Sequence, residues 1–238
     1  MSQGWTINAG ADTITFYEAP ASGTNNITVR EFASGGGGAT DVWAFGAWSN
    51  DAGWPSEVEY FADRQFFAGT RLQPQTLWAS KVGDYTNMGV SVPTADDDPL
   101  NFTINARRLN KVVDLVALDN LLPLTGGGEW RMTTNADDVV TPTTVGFKPQ
   151  SYWGASKLPA QVIGNTAVFV QEKGQKVRDI AYSFTADGYE GGDLTAFSGH
   201  LVRGRRLVDV SYSQSPYSVI WYVRDGGVLL GLTYMREQ

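Results

Sequence analysis

Three observations predict an all-β fold. Short runs alternate apolar and polar residues, as in Thr13-Ile14-Thr15-Phe16, which is the period-2 signature of a half-buried strand. The 238 residues include 27 Gly and 12% aromatics but only 18% charged residues, a balance that suits many short strands joined by tight turns better than helices with solvated faces. Turn signals recur between the apolar runs, and Asp225-Gly226-Gly227 is among the strongest, since Asp-Gly between two strands favours a tight hairpin.

The elements follow in chain order. Residues 1–33 read as a small N-terminal β unit, in which Ile14 and Phe16, then Ile27 and Val29, alternate with Thr or Arg around the turn-rich APASGTNN. Residues 34–41 are a Gly-rich linker, SGGGGAT being the stretch with the fewest side chains to hold it in one conformation. These glycines do not make a phosphate cradle, because the Lys-Ser/Thr ending of a P-loop is missing. Residues 42–238 form one large strand-built domain. There EVEYF is strand-like, ADRQFFAG is a strand reaching Gly69, RLQPQ is a turn, and TLWASK is the returning strand. Pro74 cannot donate a ladder hydrogen bond, so it belongs in the bend or on an edge.

Residues 110–134, NKVVDLVALDNLLPLTGGGEWRMTT, are the one place where a helix competes, because Val112, Leu115, Val116 and Leu118 would share a helical face. The β-branched residues, the Asp119-Asn120 turn, Pro123 and the triple Gly favour three short strands instead. Residues 135–161 are rich in Pro, Thr and Asp and read as an extended connection. NTAVFVQEKGQKVRDIAYSF is then a hairpin about Lys173-Gly174, and a strand, a Ser-Pro turn, SVIWYV, Asp225-Gly226-Gly227 and VLLGLTY complete the pattern. Four units thus recur, with Trp78, Trp130, Tyr182 and Trp221 in comparable places. Spacings of about 40–50 residues per four-stranded unit are those of a β-propeller-like array of antiparallel blades, here with room for an incomplete set.

Composition narrows the chemistry. There is no Cys, which excludes disulfides and thiolate metal sites. The N-terminus lacks the basic patch and apolar run of a secretory signal, and no stretch approaches 18 apolar residues, so no membrane partner is expected. A net charge of −7 disfavours tight non-specific nucleic-acid binding. His200 is the single histidine, and Ser198 stands two residues before it, but the nucleophile-elbow pattern is missing, so His200 reads as a half-buried packing residue. Asp187, Glu190 and Asp193, and the run Asp96-Asp97-Asp98, would serve a glycosidase or a Ca²⁺ site only if the fold paired them, and such runs are more often solvated loops. Arg107, Arg108, Arg203, Arg205 and Arg206 are local basic spots that suit ion pairs across subunits better than a phosphate clamp. Trp43, Trp48, Trp54, Phe66, Phe67 and Trp78 read mostly as core, wedged among small Gly and Ala neighbours. No catalytic, cofactor-binding or metal-binding residue is assigned, and no cofactor is implied.

FGAWSNDAGWPSEVEYFADRQFFAGTRLQPQTLWASKVGDYTNM, LTGGGEWRM, DIAYSFTADGYEGGDLTAFSGHLV and SYSQSPYSVIWYVRDGGVLLGLTY, in this order from about Trp43 to Tyr234, resemble a family of tailed-bacteriophage tail structural proteins, described as tail tubular, nozzle or stabilisation proteins. TITFYEAPASG is similar to the small β insert such proteins carry. The resemblance implies a β-propeller-containing, non-enzymatic virion subunit of the tail or head–tail junction, assembled in the host cytoplasm. It also implies a homo-oligomer that contacts other tail or portal-adaptor proteins, lines or supports the DNA exit channel, and touches genomic DNA weakly and transiently at most. Family members usually continue past the equivalent of TYMREQ, so the expectation is a fragment of a longer protein, a ring closed by another route, or open edges covered by neighbouring subunits. A propeller that binds or cleaves host-surface glycan is the alternative.

Overall fold

Period-2 alternation in short runs produces stacked antiparallel sheets, as the sequence predicts. A computed structural model describes residues 47–106, 110–134 and 139–235, together with the backbone of four short strands before them. Those four are β1 (Trp5–Asn8) paired with β2 (Thr13–Phe16), and β3 (Ile27–Thr28) paired with β4 (Ala44–Phe45). The expected linker at 34–41 lies outside the described residues, as does Val29. The chain divides into two compact units, one of Met1–Pro55 with Thr70–Gln73 and one of Ser56–Gly69 with Pro74–Gln238.

The second unit consists of four blade-like sheets in chain order. The first contains β5 (Glu57–Phe61), β6 (Arg64–Ala68), β7 (Thr76–Ala79) and β8 (Leu100–Thr103), and the second β9 (Val112–Ala117), β10 (Leu121–Thr125), β11 (Gly128–Thr133) and β12 (Gly146–Ser151). The third contains β13 (Gln161–Ile163), β14 (Thr166–Val170), β15 (Val177–Ser183) and β16 (Gly188–Glu190), and the fourth β17 (Leu207–Ser213), β18 (Val219–Arg224) and β19 (Val228–Thr233). Within each sheet consecutive strands are neighbours, so every connection is local. The strands do not close into a barrel, and the arrangement is that of an incomplete propeller-like array.

Alternation along each strand sends neighbouring residues to opposite faces, and the two middle sheets bury both. Phe66, Leu77 and Leu100 of the first sheet pack on Val112, Leu115, Leu121 and Met132 of the second. The opposite face of the second sheet, with Val116, Leu122 and Leu124, packs on Ala167, Phe169, Ile180 and Tyr189 of the third. Val168, Val170 and Val177 on the far side of the third sheet then meet Leu207, Ile220 and Tyr222 of the fourth. Strands β10 and β14 are consequently buried at every position.

The structure corrects several expectations. Residues 135–161 are not connection throughout, because Gly146–Ser151 is the fourth strand of the second sheet. It is an edge strand, half-exposed and interrupted by Pro149, which an edge tolerates and which hides the alternation. Conversely, Pro123 stands in the interior strand β10, where the β10–β11 ladder covers only Leu124 and Thr125, so no rung there needs its N–H. Trp78, Trp130 and Tyr182 occupy the third strand of their sheets, but Trp221 occupies the second. Of the rings expected as core, Phe66 and Trp78 are buried, Trp48 and Phe67 are half-buried, Trp54 is exposed, and Trp43 lies outside the described residues.

Arg64 anchors the first sheet. Its side chain is fully buried, and its guanidinium donates to the carbonyls of Ser80 (2.8 Å), Asp98 (2.6 Å), Asp96 (3.0 Å) and Val140 (3.1 Å). One cation therefore ties the first sheet to its β7–β8 loop and to the segment leading into β12. Replacing it with an apolar chain strands those carbonyls in the interior, so Arg64→Met is expected to destabilise the fold by about 3–5 kcal/mol in urea unfolding. Tyr222 presents the opposite case, because its hydroxyl is buried with no hydrogen-bond partner among the described residues and burial raises its pKa. Tyr222→Phe removes that unsatisfied group and keeps the ring, so the same assay should show a gain of about 1 kcal/mol.

Candidate functional site

The residues weighed from sequence do not converge. His200 lies in a 3₁₀ turn, Gly199–Leu201, and is exposed, which corrects its expected half-burial, since a turn and not a strand carries it. Asp187 accepts from the Tyr182 hydroxyl at 2.9 Å, Glu190 is exposed on edge strand β16, and Asp193 takes the Lys176 ammonium at 2.7 Å and the Thr195 hydroxyl at 2.7 Å. The run 96–98 is not a purely solvated loop. Asp98 is fully buried and accepts from Ala95 N–H (2.9 Å) and from Ser91 N–H and hydroxyl (3.0 and 2.8 Å). The Ala95 N–H above all, then the Ser91 hydrogen bonds, hold its carboxyl below the usual range against the cost of burial. Arg203, Arg205 and Arg206 are exposed, whereas Arg107 and Arg108 lie outside the described residues. Among the described residues no cluster of His, Asp or Glu could hold a metal ion, and no helix is long and apolar enough to cross a membrane.

Two other places have the geometry of a site. The first is a cleft of about 800 Å³ at the loop end of the second sheet. Trp130, Phe147 and Pro149 form its sheet-borne wall, Tyr152 and Trp153 the segment after β12, and Asn105, Asn110 and Glu172 its polar lining. Trp153 is held on three sides. Its N–H donates to Glu129 Oε2 at 3.3 Å, its carbonyl accepts from Gln171 Nε2 at 3.2 Å, and the Arg178 guanidinium lies 3.7 Å from its ring centroid. Arg178 Nε in turn donates to Gln171 Oε1 at 3.2 Å. Glu129 is fully buried and also accepts from the Ser151 hydroxyl, and burial pushes its carboxyl above the usual range. Gly154 has φ +74°, and a Cβ there would stand 2.3 Å from the Gly126 carbonyl oxygen, so only glycine lets the two loops touch. Tyr152-Trp153-Gly154, adjacent rings before a glycine, marks this segment in the sequence, but it falls within the stretch expected to be connection.

The second place is the outer face of the fourth sheet. Strand register aligns Ser211, Trp221 and Gly231 in one row, with Asp209, Val223 and Leu229 on one side and Ser213, Val219 and Thr233 on the other. Trp221 is 41% and Leu229 60% exposed. A Cβ on Gly231 would stand 3.1 Å from the Trp221 ring, so the glycine lets the indole lie across the neighbouring strand.

Neither a scan against protein-family models nor a search of the curated proteins finds a match to this chain.

A third cluster affects stability. Asp114 on β9 accepts from Ala160 N–H at 2.6 Å and Leu115 N–H at 2.9 Å, with Glu59 nearby. Burial first, and Glu59 second, raise its pKa from 3.8 to about 6. Glu57, beside Asp114, Lys111 and Lys157, is also raised, chiefly by burial. Folded Asp114 therefore keeps its proton to about pH 6, while the unfolded chain releases it near 3.8. The associated stability is full below the lower value and is lost as pH rises through the upper one. Asp114→Asn stays neutral throughout. Between about pH 4 and pH 7 the wild type should lose roughly 3 kcal/mol relative to the variant, beyond any constant offset, as read by urea unfolding at each pH.

Proposed function

We propose that the chain is a structural, non-enzymatic subunit of a tailed-bacteriophage virion, at the tail or head–tail junction. It works as a homo-oligomer that lines or supports the DNA exit channel beside other tail or portal-adaptor proteins. The resemblance in four ordered segments supports the phage assignment, and the exposed Trp221 and Leu229 on the outer face of the fourth sheet support assembly. In the other sheets the equivalent step is sheet on sheet, as where Val168, Val170 and Val177 meet Leu207, Ile220 and Tyr222. Trp221, Val223 and Leu229 continue the same stacking direction, flanked by Asp209, Ser211 and Ser213, and the occupant of this face in this reading is a second copy of the chain. An acidic protein suits a conduit, because a net charge of −7 repels the phosphate backbone and contacts with DNA stay weak.

Sedimentation velocity, native mass spectrometry and negative-stain imaging test this reading together. The wild-type chain should form a discrete multimer that images as a ring with a central channel. The double variant Trp221→Glu with Leu229→Glu should sediment as a folded monomer with an unchanged far-ultraviolet circular dichroism spectrum, since both positions are exposed. A wild type that stays monomeric up to roughly 100 µM, well above the micromolar range of weak specific interfaces, sinks the assembly reading.

A further inference from the structure

We propose that the second unit is electrically polar along its strands, and that its basic end docks the acidic end of a second copy of the chain. This adds an end-on contact to the sideways one at Trp221 and rests on different residues.

Topology creates the two ends. In each sheet consecutive strands are antiparallel neighbours, so the turn between second and third strands and the link to the next sheet lie at one end. The turn between first and second strands lies at the other end, with the link between third and fourth. Backbone hydrogen bonds join the loops of the first end into one continuous rim. Val112 N–H donates to the Pro74 carbonyl at 2.9 Å, Gly126 to Lys111 at 3.1 Å and Ala155 to Thr125 at 2.8 Å. Glu172 N–H then donates to Gly154 at 2.9 Å, Leu207 to Gly174 at 2.8 Å and Asp225 to Arg206 at 2.8 Å.

Charge divides along the same line among the described residues of this unit. On the rim, Lys111 and Lys157 precede β9 and β13, and Lys173 and Lys176 lie in the β14–β15 turn. Arg203, Arg205 and Arg206 precede β17, and all of these cations are exposed. Glu172, Asp193 and Asp225 offset them in part, and only Lys176 has an ion pair among the described residues, with Asp193 at 2.7 Å. Glu57 and Arg224, at strand ends beside the rim, cancel. The opposite end exposes Asp63, Asp84, Asp96, Asp97, Asp119 and Asp187 against Lys81, which holds Asp97 at 3.1 Å, while the buried Arg64 and Asp98 there cancel.

The ends are therefore complementary on one chain, and each groups like charges that its own loops leave unpaired. The net charge of −7 does not oppose the contact, because at physiological salt fields fade beyond about 8 Å and the facing ends decide. Carboxylates on the rim select an acidic protein face over nucleic acid. Phosphates would meet Glu172, Asp193 and Asp225 with like charge, whereas a protein face can set Lys81 or neutral groups against them. Single exposed pairs contribute little, so the contact depends on many acting together.

The test uses the full chain carrying Trp221→Glu and Leu229→Glu, so that no sideways contact contributes, in sedimentation velocity at about 20 mM and about 500 mM NaCl. This chain should associate at low salt, and its association constant should fall at least tenfold at high salt, as the screening length shortens from roughly 20 Å to roughly 4 Å. Adding Arg203→Glu, Arg205→Glu and Arg206→Glu should leave a folded monomer with two acidic ends. Adding instead Asp84→Lys, Asp96→Lys and Asp119→Lys should leave a folded monomer with two basic ends. Mixed in equal amounts, the two variants should associate again, although both keep a net negative charge. If the arginine variant misfolds by circular dichroism, Lys111→Glu with Lys157→Glu and Lys173→Glu, on the same rim, takes its place. Association that ignores salt overturns the proposal, as does none at low salt up to roughly 500 µM chain. Failure of the mixed variants to associate overturns it too. Oligothymidylate bound more tightly than the second copy, and lost with the arginine variant, also overturns it and makes the rim a nucleic-acid site. The sideways contact is absent from every arm, so this proposal and the ring reading fail separately.

Discussion

The second unit depends on burying both faces of a strand at once. In β10 and β14 every side chain is interior, so each strand contributes alternate residues to two different cores. Leu121 faces the first sheet while Leu122 and Leu124 face the third, and Ala167 and Phe169 are divided from Val168 and Val170 in the same way. A shift of one residue in register would exchange the two sets, and small residues would meet where large ones now interlock. Stacking of this kind fixes the order of the sheets and carries the loops between them to defined places. The cleft is built from such loops.

Polar groups within this stack work where sheets alone leave gaps. Arg64 satisfies carbonyls from three separate segments, and Glu129 and Asp114 each accept N–H groups from loops that follow the second sheet. All three are desolvated, with the Arg64 pKa lowered and the two carboxyl pKa values raised mainly by burial. Their shared feature is that they hold irregular backbone, which has no ladder partner of its own. Apolar packing orders the strands, and these groups order what lies between them.

That division explains what the sequence discloses. Strands with a buried face announce themselves: the runs around Phe66, Leu77, Val168 and Ile220 alternate, and the turns at Gly174 and Asp225-Gly226-Gly227 close them, with φ of +73° at Gly174 and +88° and +79° at the last two glycines. The three strands in residues 110–134 were legible for the same reason, since Asp119-Asn120 breaks the run between β9 and β10 and the triple Gly breaks it between β10 and β11. β12 was not legible, because an edge strand with Lys148 and Pro149 needs no alternation to be paired. Asp98 looked like one of three solvated carboxylates, yet only it turns inward to accept three hydrogen bonds, a choice made by the loop and not by the residue type. The cleft was hidden for a related reason. Asn105, Gly126, Trp153 and Glu172 are far apart in the chain, and only the stacking of the first, second and third sheets brings them to one opening.

Glycine placement separates the two surfaces that remain open. On the fourth sheet, Gly231 lets the Trp221 ring lie across the neighbouring strand, on the outer face of that sheet. At the cleft, Gly154 and Gly126 bring two backbones into contact next to Tyr152 and Trp153, and the surface there is concave. Both surfaces expose indole, and composition alone would assign them the same role. At the fourth sheet the glycine lies against the ring itself, and at the cleft it lets two loops touch. The outer face of the fourth sheet extends the stacking direction seen inside the unit, whereas the cleft interrupts it.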